Sequence, residues 1–73
     1  MGRRARSLRA ARRAKLLTIR ALAERAGCAK GTIVEIEQGR RLPSLKTVEK
    51  LARALDIPPI KVAEFAGAIH LGE

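Results

Sequence analysis

The strongest constraint on this chain is that it is short and has almost nothing to cross-link it. Its 73 residues include one cysteine, Cys28, and one histidine, His70, so neither a disulfide framework nor a Cys/His metal cluster is available. A chain of this length buries only about 60% of its unfolded surface. We therefore expect one small domain, without metal or cofactor, that depends on helix packing or dimerisation. The lone cysteine favours a reducing, cytoplasmic location.

Start and stop signals indicate that the chain is helical throughout. Thr18 and Ser44 are good N-cap residues, Gly27 and Gly39 are typical helix ends, and Pro59 suits the first turn of a last helix. Five helices are expected, over about residues 5–15, 19–25, 29–38 and 45–55 and from 59 onward. No strand or internal repeat is recognisable, so the sequence predicts an all-α fold. Apolar residues at helical spacing form the expected core: Leu22, Ile33, Ile36, Leu45, Val48, Leu51, Leu55 and Phe65.

Positive charge is concentrated at the N-terminal end. The formal net charge is +9, and residues 1–23 contain eight basic side chains and no acidic one. Such a basic pole predicts a polyanionic partner, either nucleic acid or an acidic membrane surface. No apolar run is long enough to cross a bilayer or to form a secretory signal. The Arg-rich start is also typical of a mitochondrial transit peptide, but its helical pattern continues into the folded domain.

Residues 18–38 form the motif that carries the functional prediction. Two short helices joined by a tight, glycine-containing turn make a helix-turn-helix, with Ala23 small where the helices approach each other and Gly27 in the turn. Ile33 is expected to anchor the second helix to the core. The N-terminal residues of that second helix would then point outward, into a DNA major groove about 12 Å wide.

The stretch Leu8–Ile57 resembles the Cro/CI-type, or Xre, family of phage and bacterial repressors. The matching pieces are LRAARRAKLLT, LAERAG, TIVEIEQGRRLPS and VEKLARALDI. The resemblance implies a compact five-helix repressor-like domain, which we place at residues 8–66. A basic arm or helix extension (1–7) precedes this domain and a tail (67–73) follows it. The family also implies that the third helix recognises double-stranded DNA, commonly as a homodimer on a pseudo-palindromic site.

The resemblance also implies where DNA contacts lie. Base contacts are expected from the outward positions of the third helix: Lys30, Gly31, Thr32, Val34 and Glu35. Lysine and threonine can donate to guanine or phosphate, glutamate can accept from cytosine, and glycine and valine allow close approach to thymine methyls. Backbone contacts by Arg40 and Arg41 are expected because they match a loop that contacts phosphate in the family. The basic pole itself predicts further contacts, with the backbone or in a minor groove, from Arg3, Arg4, Arg6 and Arg9. Arg20, near the start of the second helix, is also expected to face phosphate.

Two other positions match the family in a structural role, and two depart from it. Arg12 matches a buried arginine that pairs with the glutamate at Glu37, which would tie the first helix to the end of the third. Ile19 stands where a phosphate-contacting glutamine is common, and Ala29 stands where a serine cap is common. Because of these departures, we expect the basic residues to supply much of the DNA affinity.

Several functions are compatible with these observations. The leading one is a transcriptional regulator, either a repressor or an antitoxin-type autoregulator that also binds a toxin. The alternative is a protein-interaction module that has lost base readout and uses Ile19, Val34 and Glu35 against a protein. Membrane-surface binding through residues 3–17 ranks last because that segment has few large apolar residues. An enzyme is not supported, since no nucleophile–base set and no phosphate-binding glycine loop is present. Ile57, Ile60 and Phe65 are also expected to have exposed edges that could pack against a second copy of the chain, which makes them a candidate dimer seam.

Overall fold

The computed structural model describes residues 5–66, and within that range the chain is all-α, as predicted. The α-helices are α1 (Leu8–Ala14), α2 (Ile19–Ala26), α3 (Lys30–Glu37) and α4 (Leu45–Leu55). A 3-10 helix (Pro59–Lys61) follows, and residues 63–66 are helical. A helical turn therefore opens at Pro59, as expected, but it is a 3-10 helix of three residues, and the extended Val62 separates it from residues 63–66.

Side-chain caps fix where three of the helices begin. The hydroxyl oxygen of Ser7 accepts a hydrogen bond from the Ala10 N–H at 3.0 Å, and that of Thr18 accepts from the Ala21 N–H at the same distance. Ser44 accepts from the Thr47 N–H at 3.2 Å. Each cap satisfies an amide that the helix itself leaves without an acceptor, which is worth about 1 kcal/mol per cap.

The start of α1 corrects one prediction. The first helix was expected to begin near Ala5, but the Ser7 cap starts it at Leu8, and Arg6 is extended. Arg6 pairs with Val62 in an isolated parallel bridge: its N–H donates to the Lys61 carbonyl at 2.8 Å, and its carbonyl accepts from the Ala63 N–H at 2.7 Å. The arm therefore does not extend α1 at residues 5–7. This bridge ties the N-terminal segment to the chain after α4.

One hydrophobic core joins the four α-helices to the segment around Val62 and Phe65. Its largest fully buried side chains are Leu8, Leu22, Ile33, Ile36, Leu51, Leu55, Val62 and Phe65. Burying each such side chain stabilises the fold by about 1.5–3 kcal/mol. Two expectations about this core were wrong. Leu45 is 49% exposed because it lies in the first turn of α4, beyond the core, and Phe65 is fully buried and so has no edge to offer a dimer seam.

Candidate nucleic-acid interface

Gly27 forms the turn that joins α2 to α3. It has a φ of 74° and a ψ of 38°, the left-handed conformation that glycine adopts without a steric penalty. Its N–H donates to the Ala23 carbonyl at 2.8 Å, and the Cys28 N–H donates to the same carbonyl at 3.0 Å. Ala23 is 4% exposed and Ile33 is fully buried, so α3 is anchored closely against α2. Helices α2 and α3 therefore form the helix-turn-helix.

The N-terminal half of α3 presents its outer surface to solvent. Lys30 and Gly31 are exposed, whereas Thr32, Val34 and Glu35 are half-buried. The structure thus places all five predicted base-contacting residues on the side of α3 that is not occupied by its fully buried residues, Ile33 and Ile36. No side chain caps the start of α3, because the N-cap residue is an alanine.

Arg41 lies across this outer surface, a contact that the sequence did not predict. Its Nε is 3.1 Å from a carboxylate oxygen of Glu35, and one of its terminal nitrogens donates to the Thr32 hydroxyl at 3.3 Å. Both charged side chains are about half exposed, at 52% and 47%. The negative charge that Glu35 brings to the surface is therefore partly neutralised by the loop after α3.

Arg12 and Glu37 form a bidentate pair behind that surface. The Arg12 Nε donates to one oxygen of Glu37 at 2.8 Å, and a terminal nitrogen donates to the other at 3.2 Å. The second terminal nitrogen donates to the Leu17 carbonyl at 2.9 Å. Both side chains are over nine-tenths buried. The structure thus brings together the two residues that the family resemblance paired, and their contact links α1 to the end of α3.

The predicted backbone-contacting arginines are divided between two parts of the surface. Arg9 borders a shallow groove of about 210 Å³ that Ile19, Val34 and Gln38 also line, so it lies beside the helix-turn-helix. Arg40 and Arg41 lie in the loop that follows α3, and Arg40 is exposed. Arg20 is exposed at the start of α2, with its Nε 3.9 Å from the Glu24 carboxylate. That pair could be expected from the four-residue spacing of opposite charges on a helix.

Arg6 lies elsewhere. It lines a groove formed by α1 and the residues after α4, with no contribution from α2 or α3. The predictions for Arg3 and Arg4 fall outside residues 5–66. The structure therefore groups Arg9, Arg20, Arg40 and Arg41 with the helix-turn-helix, and it separates Arg6 from them.

Two apolar residues that the alternative function would use against a protein, Ile19 and Val34, flank this interface. Ile19 is half-buried and packs against the core, and Val34 is also half-buried.

Cys28 packs against the core as well. Burial raises the pKa of the Cys28 thiol above its ordinary value, and the positive charge of Lys50 offsets this only in part. Among residues 5–66, no group of acidic, histidine or cysteine side chains could hold a metal ion, and no helix is long and apolar enough to cross a membrane.

Comparison with known proteins agrees with this geometry. Residues 8–62 match a family model described as "Helix-turn-helix". Over 64 residues, the chain is 41% identical to an "Uncharacterized HTH-type transcriptional regulator RghRB" of Bacillus subtilis. The match covers 86% of this chain and 46% of that protein, so the chain spans less than half of its relative's length. No solved structure matches the chain.

Proposed function

Because the chain belongs to the Cro/CI-type (Xre) family of helix-turn-helix proteins, we propose that it is a DNA-binding transcriptional regulator that reads sequence with α3. In this proposal it binds double-stranded DNA as a homodimer on a pseudo-palindromic site. It acts as a repressor or an antitoxin-type autoregulator, in the cytoplasm and without enzymatic activity. The relative from Bacillus subtilis is named a transcriptional regulator, which supports the general role.

The observation that carries the proposal is the glycine at the exposed start of α3. Gly31 is helical with no positive φ, and a Cβ built on it would meet nothing within 4 Å. The fold therefore does not require glycine there, although glycine inside a helix costs about 0.5–1 kcal/mol relative to alanine. Glycine is expected here if another molecule must approach the helix backbone closely, because glycine has no side chain to keep that molecule away. The first turn of a recognition helix against base edges is such a position.

The contacts around Gly31 suggest how reading and anchoring are divided. Lys30 is exposed and can donate to guanine O6 and N7 or to a phosphate. Glu35 can accept from cytosine N4, and its pairing with Arg41 lowers the repulsion that an unpaired carboxylate would meet near phosphates. Arg40, Arg20 and Arg9 are the backbone contacts that set the register of α3 in the groove.

Selection from a randomised duplex pool tests this proposal. The selected duplex and a scrambled duplex are then compared by fluorescence anisotropy over a range of salt concentrations. We expect enrichment of two inverted half-sites about one helical turn apart, and tighter binding of the selected duplex.

Two results would count against the proposal. Equal affinity for both duplexes, falling steeply with salt, would mean that only the phosphate backbone is bound. No duplex binding would exclude a DNA-binding regulator and favour the protein-interaction module.

A further inference from the structure

A second surface of the molecule combines an apolar floor with a cationic rim. A groove of about 490 Å³ lies between α1 and the segment that follows α4. Its floor is apolar, with the side chains of Ala11, Ala14, Ile57 and Pro58, and three basic residues line it with them: Arg6, Lys15 and Lys61. No acidic residue lines it, and within residues 5–66 no carboxylate forms a salt bridge with any of the three.

The rim is held in place by the backbone rather than by its own side chains. The Arg6 N–H donates to the Lys61 carbonyl at 2.8 Å, so these two rim residues are joined directly. The Lys15 N–H donates to the Arg12 carbonyl at 3.1 Å in the turn that closes α1. The backbone positions of the three basic residues are therefore fixed by hydrogen bonds of the fold.

Large, exposed apolar side chains stand next in sequence to two of these basic residues. Leu16 follows Lys15 and is 92% exposed, and Ile60 precedes Lys61 and is 68% exposed. Leu16 also has a φ of 59°, a left-handed conformation that disfavours any residue with a Cβ. The end of α1 sets this conformation: the Leu16 N–H donates to the Arg13 carbonyl at 2.9 Å, and the Leu17 N–H donates to the Arg12 carbonyl at 3.2 Å, which is a Schellman motif. The exposed side chains of Leu16 and Ile60 are apolar surface that the core does not use, and a partner can cover it.

We propose that this groove docks an acidic, leucine-containing peptide segment of a partner protein. The carboxylates of the segment would pair with Arg6, Lys15 and Lys61, and its apolar side chains would cover the floor and contact Leu16 and Ile60. Double-stranded DNA is a poorer occupant because its phosphate backbone offers nothing apolar to that floor. A second copy is a poorer occupant, because a two-fold contact through this groove, which includes the candidate seam residue Ile57, would bring six cations and no lining carboxylate into one interface. A flat bilayer does not reach a concave floor.

The groove is distinct from the helix-turn-helix. None of its lining residues belongs to α2 or α3, so peptide and DNA can be bound at the same time. The proposal goes beyond the proposed function and does not depend on it, because a protein that binds no DNA would retain the groove.

Titration of the labelled chain with three synthetic peptides tests the proposal. One peptide combines glutamate and leucine, one replaces glutamate by glutamine, and one replaces leucine by serine. We expect the first to perturb the amide NMR signals of Ala11, Ala14, Ile57 and Lys61, and each of the others to bind about tenfold more weakly. No binding of the first peptide, or equal binding of all three, would overturn the proposal.

Charge-reversal variants locate the binding. In the variant K15E/K61E the glutamate–leucine peptide should bind about tenfold more weakly than in K46E/K50E, which has the same net charge and alters only the exposed face of α4. Far-UV circular dichroism establishes that both variants fold. Equal loss in the two variants, or signal changes confined to α3, would mean that attraction to the net positive charge explains the binding, and the groove would be rejected.

The variant Leu16→Asn gives an independent readout. Asparagine tolerates the left-handed conformation better than leucine, so the variant should melt at a higher temperature than the parent chain. The same variant should bind the glutamate–leucine peptide more weakly, because the exposed apolar contact is lost. Unchanged peptide affinity would overturn the proposal, because the proposal places Leu16 in contact with the bound peptide.

Discussion

The buried pair of Arg12 and Glu37 gives the sharpest test of how this small fold is held together. Arg12 is 7% exposed, and its guanidinium donates two hydrogen bonds to Glu37 and one to the Leu17 carbonyl. Removing one partner of a buried pair leaves the other charge without compensation, which costs about 3–5 kcal/mol. A domain of this size has a total stability of about 4–11 kcal/mol. One substitution therefore removes a large fraction of the stability.

The replacement of choice is methionine, which keeps most of the volume and removes the charge. We expect Arg12→Met and Glu37→Met each to lower the free energy of unfolding by about 3–5 kcal/mol. The double variant should be more stable than either single variant, because no buried charge is then left unpaired. The free energy of unfolding of all four chains is measured by urea unfolding followed by circular dichroism. The slope of that free energy against urea concentration should be the same in each chain. If a single variant does not fold, folding of the double variant still tests the argument.

The chain supplies its own control pair. Arg20 and Glu24 are 3.9 Å apart, and their side chains are 78% and 75% exposed. The same replacements there should change the free energy of unfolding by at most about 1 kcal/mol. The reasoning would be refuted if Arg12→Met or Glu37→Met changed stability by less than about 1 kcal/mol, or if their effects simply added in the double variant.

Three further predictions concern single positions. Gly31→Ala should raise the free energy of unfolding by about 0.5–1 kcal/mol and weaken duplex binding, measured by urea unfolding and fluorescence anisotropy; unchanged binding would exclude a close approach there. Leu16→Gly should raise the melting temperature by about 4–8 °C if relief of the left-handed conformation is worth ~1 kcal/mol; a lower melting temperature would contradict the strain. Because burial raises the pKa of Cys28, the thiol should react with iodoacetamide at pH 8 more slowly than free cysteine. The stability that the neutral thiol confers should be complete below its unfolded-state pKa and should fall as the pH rises through its folded-state pKa. In urea unfolding at alkaline pH, Cys28→Ala should therefore lose less stability than the parent chain. Equal loss in the two chains would contradict the raised pKa.

Local sequence signals predicted most of the helices. Ser44 and Thr18 were recognisable as caps because hydroxyl residues satisfy the free amides at a helix start, and Gly27 was recognisable as a helix end because it tolerates a positive φ. These signals operate over a few residues, so they can be read from one sequence. The cap at Ser7 follows the same rule, but the Ala- and Arg-rich start extended the helical pattern past it.

Contacts between distant residues could not be predicted in this way. The bridge between Arg6 and Val62 involves a single pair of residues. Neither segment therefore shows the alternation of apolar and polar residues that would indicate a strand. The contact of Arg41 with Glu35 depends on the path of the loop after α3, which propensities do not fix. The pairing of Arg12 with Glu37 was reachable only through the family resemblance, because two charges so far apart in sequence carry no local signal.

The most direct test of the central claim is to map the amide NMR signals of the chain that change when it binds a selected duplex. If α3 reads DNA, the largest changes should fall on Lys30, Gly31, Thr32 and Glu35, with smaller ones at Arg40 and Arg41, and the residues around Lys61 should be unaffected. Changes confined to Arg6, Lys15 and Lys61, or no changes at all, would contradict the account.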